Sequence, residues 1–215
     1  MTTASPSGRP VQGVLWMVLT GILFVGVTAS VKLTGGRVPA AQAAFLRYAL
    51  GLVFILPMIP AIRADALKLS DMPIFALRGA FHTIGVILWF YGMSTITLAE
   101  VTALNYMSPV YVTVGAALFL GETLALRRIL AVFAALAGGL VILRPGFREL
   151  ETGHWAMVGA AVGMAGGYIL AKQISERVSA ATLVSMLSVT VTIGLAPFAW
   201  AVWVPVGLHD LGILF

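Results

Sequence analysis

Gly13-Val14-Leu15-Trp16-Met17-Val18 and Gly153-His154-Trp155-Ala156-Met157-Val158 are the stretches whose reading decides the fold. A shift of 140 residues lays the first over the second, and the same register continues beyond them. Gly26 meets Gly166, Lys32 meets Lys172, Arg37-Val38 meets Arg177-Val178, Ala40-Ala41 meets Ala180-Ala181, and Pro57 meets Pro197. After one deleted residue, Leu69-Ser70-Asp71 meets Leu208-His209-Asp210. The matches are sparse, but they keep one register over about sixty residues and fall at helix ends and prolines. An internal repeat in a very apolar chain points to a membrane carrier built from two related halves.

Composition supports the membrane. Apolar residues make up 60% of the chain and charged residues only 10%, whereas a soluble domain carries roughly 25% charged residues. Too few charges remain to coat a water-facing surface. Cysteine is absent, which excludes disulfides, thiol catalysis and cysteine-ligated metal. The net charge of +5 does not point to nucleic acid, because the bases are scattered one or two per link, as topology signals are. Arg9, an apolar run and Thr28-Ala29-Ser30 imitate a secretory signal, but six more apolar runs follow, unlike the soluble domain that follows a signal peptide.

A membrane-crossing helix needs about 20 largely apolar residues. Seven spans are predicted, at 13–31, 40–62, 76–95, 98–120, 127–143, 155–172 and 181–204. Gly35-Gly36 and Pro39 punctuate the first link, Pro57 and Pro60 end the second span, and Arg144-Pro145-Gly146 ends the fifth. The expected class is an all-α polytopic membrane protein with inverted repeats of five-helix units. Residues 1–12 form an N-terminal cytoplasmic tail, 13–146 the first copy, and 153–215 the start of the second. Five spans precede the second copy, so it enters the membrane from the opposite side. The second copy has only about sixty residues; the expectation is a fragment, cut after about seven helices, of a ten-helix protein of about 290 residues. A complete seven-helix protein is the alternative, and it leaves the repeat unmatched.

With the N-terminus inside, the cytoplasmic segments hold Arg9, Arg63, Lys68, Arg78, Arg127, Arg128, Lys172 and Arg177, against Lys32, Arg37, Arg144 and Arg148 outside. The positive-inside rule favours that orientation.

The stretch Leu98-Ala99-Glu100-Val101-Thr102-Ala103-Leu104-Asn105-Tyr106-Met107-Ser108-Pro109-Val110-Tyr111 resembles the fourth helix of EamA-type members of the drug/metabolite transporter superfamily. Leu118-Phe119-Leu120-Gly121-Glu122-Thr123-Leu124 is similar to that family's helix-ending Gly-Glu motif, Phe45-Leu46-Arg47-Tyr48 to its second-helix arginine, and Gly138-Gly139-Leu140-Val141-Ile142 to the end of its fifth helix. The resemblance implies a ten-helix inner-membrane carrier with a central cavity and alternating access. It does not fix the substrate, since such proteins are associated with amino acids, nucleotide-like metabolites, vitamins and drugs. The superfamily's small multidrug branch exchanges protons for cations through a glutamate in its first helix. The first span here, Gly13 to Val31, has no carboxylate, so that mechanism is not expected.

Polar groups inside a span are costly and are candidate functional groups by default. Span three carries Arg78, His82, Gly85, Trp89 and Gly92 within an arc of about 80°. Trp89 is the expected stacking surface of a cavity and His82 a donor or proton carrier; the structural reading has Arg78 snorkelling to the cytoplasmic interface and the glycines allowing close packing. Span four carries Thr102, Asn105, Pro109 and Thr113 within a similar arc of about 80°. Pro109 breaks the helical bonding near Asn105, and such a break is tolerated where the backbone is buried or lines a cavity. Thr102, Asn105 and Pro109 are therefore the leading substrate-binding candidates, with a structural kink as the alternative. Tyr111 and Tyr168 join them.

Glu100 and Arg47 are candidates for coupling or gating. Glu100 also suits a helix N-terminus, and Arg47 either binds an anionic group or pairs with Glu100. Glu122 is read as fixing a turn, and Lys32 and Lys172 as interfacial anchors. The small-residue stripe Gly159, Gly163, Gly167 brings helices close within one chain, with a homodimer contact as the second reading.

No zinc, nucleophile-elbow or nucleotide-phosphate motif occurs. No enzyme activity, metal or cofactor is expected, and no nucleic acid. The expected function is secondary-active inner-membrane transport of a small-molecule substrate with a coupled proton or other ion, in contact with lipid, through a site made mainly by spans three and four with help from one and six. The alternatives are a membrane scaffold or non-catalytic subunit, or an inactive fragment of a carrier.

Overall fold

The computed structural model describes residues 10–33, 37–65, 67–105, 107–121, 125–143 and 150–214. Gly35-Gly36, Tyr106, Glu122 and Arg144-Pro145-Gly146 lie outside the described residues, as does the side chain of Lys32. Every regular element among the described residues is helical: α1 Pro10–Leu33, α2 Ala40–Gly51, α3 Ile59–Ala64, α4 Met72–Thr95, α5 Leu98–Asn105, α6 Ser108–Leu120, α7 Leu126–Leu143, α8 Thr152–Ile174, α9 Ala180–Ala201 and α10 Leu208–Leu214. Many of these residues are Val, Ile and Thr, which are mediocre helix formers in water. In hydrocarbon the backbone must satisfy itself, and a helix does so within one segment. Six stretches are long and apolar enough to cross a membrane: Val11–Ser30, Ala40–Ala64, Leu69–Thr95, Leu98–Leu120, Thr152–Ile174 and Ala180–Ala201. The seventh expected span is the 18-residue helix α7. The chain is an all-α polytopic membrane protein.

The prolines act differently from their sequence reading at one place. Span two does not end at Pro57. It tightens into a 3-10 stretch over Leu52–Met58, which contains Pro57, and resumes as α3 with Pro60 in its first turn. The i→i+3 pattern takes in a residue that cannot donate, and a first-turn proline loses no bond because that amide is unpaired in any helix. The same rule lets α4 begin at Met72, four residues ahead of the expected start, with Pro73 in its first turn. Span four is broken as its proline suggests. Its halves are α5 and α6, separated around Met107, with Pro109 in the first turn of α6.

Helices α4 and α8 form the most extensive contact, and glycines let them approach. A methyl group on Gly163 would lie 3.0 Å from the Phe81 carbonyl oxygen and 3.2 Å from the Gly85 Cα. One on Gly85 would lie 3.2 Å from the Ala160 carbonyl oxygen. The stripe Gly159, Gly163, Gly167 therefore packs within the chain, with Gly163 backbone to backbone and Gly159 against the Leu88 side chain. Around this pair the core gathers Val86, Trp89, Phe90, Met93, Val101, Leu104, Met157, Val191 and Leu195.

Helices α2 and α9 pair next, each beginning where the other's span ends. At one end the Gln42 side-chain amide donates to the Val204 carbonyl at 2.7 Å and its oxygen accepts the Val204 N–H at 2.9 Å. At the other end the Ser179 N–H and hydroxyl both donate to Asp65 at 2.7 Å, and Ser179 caps α9 by accepting from the Thr182 N–H.

Candidate functional site

Five spans converge on a cavity of about 430 Å³. Its wall takes Phe24 from α1, Arg47, Tyr48 and Gly51 from α2, and Phe54 from the 3-10 stretch. Helix α4 gives His82, Val86, Trp89 and Phe90, α8 gives Met164 and Tyr168, and α9 gives Ser188. The span-three stripe thus divides around the helix axis: His82 and Trp89 reach the cavity, while Gly85 and Gly92 are spent on contact with α8.

Trp89 is 5% exposed. Phe24 stacks on it at 5.2 Å between ring centroids, and Phe90 meets it edge-on at 5.3 Å. With one face already covered, the group Trp89 offers is its indole N–H, which has no hydrogen-bond partner among the described residues. A buried donor left without a partner is costly, so this edge is poised to receive an acceptor. His82 Nε2 and the Tyr48 hydroxyl are hydrogen-bonded at 3.0 Å. Arg47 adds a guanidinium that also donates to the Leu214 carbonyl at 3.3 Å. Among the described residues the polar lining therefore consists of a cation, an indole donor, a hydroxyl–imidazole pair, the Tyr168 phenol and the Ser188 hydroxyl, with no carboxylate.

None of the described residues of span four lines this wall. Thr102 returns its hydroxyl to the Leu98 carbonyl at 2.8 Å, and Thr113 returns its own to Pro109 at 2.7 Å; both are satisfied inside their helices. Pro109 is exposed. Asn105 is half-buried, and its Oδ1 has no partner among the described residues. Tyr111 lines a second, largely apolar groove of about 490 Å³ between α6 and α8, beside Phe81, Phe119 and Ile169.

The carboxylate of Glu100 accepts the Thr97 N–H at 3.0 Å and the Thr97 hydroxyl at 2.8 Å, while the Thr97 oxygen faces the Glu100 N–H at 3.4 Å. This is a capping box, written in the sequence as Thr97-Leu98-Ala99-Glu100. The other carboxylate oxygen lies 3.7 Å from Nε2 of His154, a side chain only 2% exposed. His154 Nδ1 accepts the Glu151 N–H at 3.1 Å, which leaves Nε2 to carry the proton that faces Glu100. Glu100 thus turns to Thr97 and His154, and Arg47 to the cavity.

Arg78 does not snorkel: it is 8% exposed and donates to the Leu183 carbonyl at 2.6 Å, tying α4 to the first turn of α9. Sequence reasoning passed over Phe24 and Tyr48. Tyr48 follows Arg47 and lies 100° round the helix from it, so one-face periodicity separates two residues that the cavity joins.

Residues 11–144 match the EamA-like transporter family. The chain is 30% identical over 206 residues to the pseudopaline exporter of Pseudomonas aeruginosa, covering 94% of this chain and 72% of that protein. It is 27% identical over 188 residues to the riboflavin transporter of Vibrio cholerae, covering 86% of this chain and 63% of that one. It is 22% identical over 204 residues to the S-adenosylmethionine uptake transporter of Rickettsia prowazekii, covering 95% and 69%. No solved structure matches the chain.

Proposed function

The chain belongs to the EamA-like transporter family, a transporter of small metabolites and not an enzyme, and from that premise we propose that it is a secondary carrier that exposes its cavity alternately to the two sides of a bacterial-type inner membrane. Its N-terminus is cytoplasmic, as the distribution of Lys and Arg favours. Residues 13–146 form one five-helix copy and 153–215 the beginning of a second, inverted copy. The substrate is a planar, acceptor-rich solute, neutral or anionic. One observation carries this choice: a cavity walled by aromatic rings whose polar groups include Arg47 and the unpaired Trp89 N–H and no carboxylate. Carbonyl or carboxylate oxygens satisfy such donors, and an organic cation finds no counter-charge.

In this reading Trp89 and Arg47 bind acceptor groups, the His82–Tyr48 pair accepts or donates as the substrate requires, and Tyr168 closes one side. Glu100 with His154 is the coupling position: a carboxylate and an imidazole from the two copies are held 3.7 Å apart at the start of α5 and α8. Asn105, Thr102, Pro109 and Tyr111 shape the broken span four rather than bind the solute.

The test is a thermal-stability screen of the full-length protein in detergent against riboflavin, S-adenosylmethionine, amino acids, nucleosides and quaternary ammonium cations, followed by flux into proteoliposomes. The expected outcome is a stabilising shift from acceptor-rich planar solutes and saturable, competable flux of the same compounds. Stabilisation by the cations alone, or flux that rises linearly without competition, overturns the reading.

A further inference from the structure

Among the described residues, two arginine–aspartate pairs join the halves of the molecule, and each uses the counterparts of the other's residues. Arg37, in the link between α1 and α2, donates to Asp210 in α10 at 2.7 Å. Arg177, in the link between α8 and α9, pairs with Asp71, just before α4. Under the repeat register Arg37 corresponds to Arg177 and, after the single deletion, Asp71 to Asp210. Each pair therefore takes its arginine from one copy and its aspartate from the other. The two are also matched in environment: the arginines are 55% and 59% exposed, the aspartates 16% and 8%. Span two separates Arg37 from Asp71, so the pairs sit at opposite ends of the bundle. The hydrogen-bonded clasps follow the same rule, with Gln42–Val204 beside the first pair and Asp65–Ser179 beside the second.

We propose that Arg37–Asp210 and Arg177–Asp71 are reciprocal latches, one at each membrane face, and that transport opens them in turn. The inference rests on the carrier reading and extends it to which residues set the direction the cavity faces. A half-exposed ion pair suits this work. Water replaces its partner at little cost when it opens, whereas a fully buried pair would resist breaking. Because the latches are equivalent, releasing one lowers the free energy of the state open at its own face and leaves the other untouched.

The 215 residues hold no cysteine, so a full-length protein with any cysteine outside them replaced by serine permits a direct test. Ser188→Cys places one thiol in the cavity wall, and a membrane-impermeant maleimide reads its accessibility from each face in right-side-out and inverted vesicles carrying the full-length protein. Asp210→Asn is expected to raise labelling from the Arg37 face by about two- to fivefold relative to the other face, and Asp71→Asn to do the reverse, by the modest weight of an exposed pair. The swapped pair Arg37→Asp with Asp210→Arg is expected to restore the original ratio. Equal effects of both aspartate variants on both faces, no effect, or a swap that folds without restoring the ratio overturns the proposal. Failure of both the neutralised and the swapped forms to fold also counts against it, since the pairs would then be structural props. In the unaltered background, a thiol reached from one face only overturns the carrier reading itself. A thiol reached from both faces but unmoved by the substitutions overturns the latches alone.

Discussion

Spans three and four carry polar stripes of the same angular width, yet only one stripe meets the cavity. On α4, His82 and Trp89 open into it while Gly85 and Gly92 bind α8. On α5 and α6, Thr102 and Thr113 close back on their own helix, Pro109 is exposed, and within the stripe Asn105 keeps an unpartnered atom. The difference teaches that a stripe states which residues share a face and not what that face meets. What the face meets is decided by the neighbours: α4 is hemmed in by α2, α8 and α9, whereas α5 and α6 pack chiefly on α8 and α7.

The sharpest way to break the comparison is at the glycine contact. Gly163→Leu forces a side chain into the Phe81 and Gly85 backbone, and overpacking against backbone is expected to cost about 3 kcal/mol. The expected result is a large fall in detergent Tm or loss of monodisperse protein, while Thr102→Val on span four leaves both nearly unchanged. A Gly163→Leu protein as stable as the parent would remove α8 as the partner that orients span three.

Ligand binding separates the spans next. Trp89→Phe keeps a ring against Phe24 but removes the N–H, and is expected to weaken substrate binding about tenfold, the weight of a hydrogen bond in a dry site. Asn105→Ala is expected to change it by less than about twofold. Titration calorimetry on the two variants checks this, and a reversed order of effects would return the site to span four. Glu100→Gln sharpens the boundary between binding and coupling. It is expected to lower gradient-driven flux a few-fold while substrate exchange without a gradient persists, and equal loss of both would make Glu100 a structural cap only.

The smallest effect concerns the clasps. Hydrogen bonds from Thr182 and Ser179 hold the Asp65 carboxyl below its ordinary value of 3.8, and the bond from Arg37 does the same for Asp210. A lowered folded-state value means stability that is fully present above pH 3.8 and is lost as pH falls through the lowered value. The Tm advantage of the parent over an Asp65→Asn, Asp210→Asn double variant is therefore expected to be small at neutral pH, to fade as pH falls below 3.8 and to vanish below the lowered values. An advantage that grows on acidification would contradict the sign.

Much of the fold was legible because bilayer physics leaves few options. Apolar length locates the spans. The break in span four was readable from Pro109, and the close helix contact from the spacing of Gly159, Gly163 and Gly167. The course of span two through Pro57 was not, since a proline permits both a stop and a 3-10 continuation, and the choice depends on the packing of α2 against α9. The site was half legible. Trp89, His82, Arg47 and Tyr168 line the cavity, but Phe24 and Tyr48 enter it only because separate helices cross there. The capping box at Thr97 and Glu100 was written in four adjacent residues; its link to His154 depends on where α8 starts and leaves no local mark.

The 3-10 stretch of span two has a mechanical consequence. It begins next to Gly51 in the cavity wall and ends one short helix before Asp65. A 3-10 turn rises 2.0 Å per residue against 1.5 Å for an α-helix, so seven residues in this form lengthen the span by about 3.5 Å. Rewinding Leu52–Met58 to α would draw the Asp65 end toward the cavity by that stroke and turn it about the helix axis. Span two thus stores its extra length beside Phe54, in the wall of the cavity.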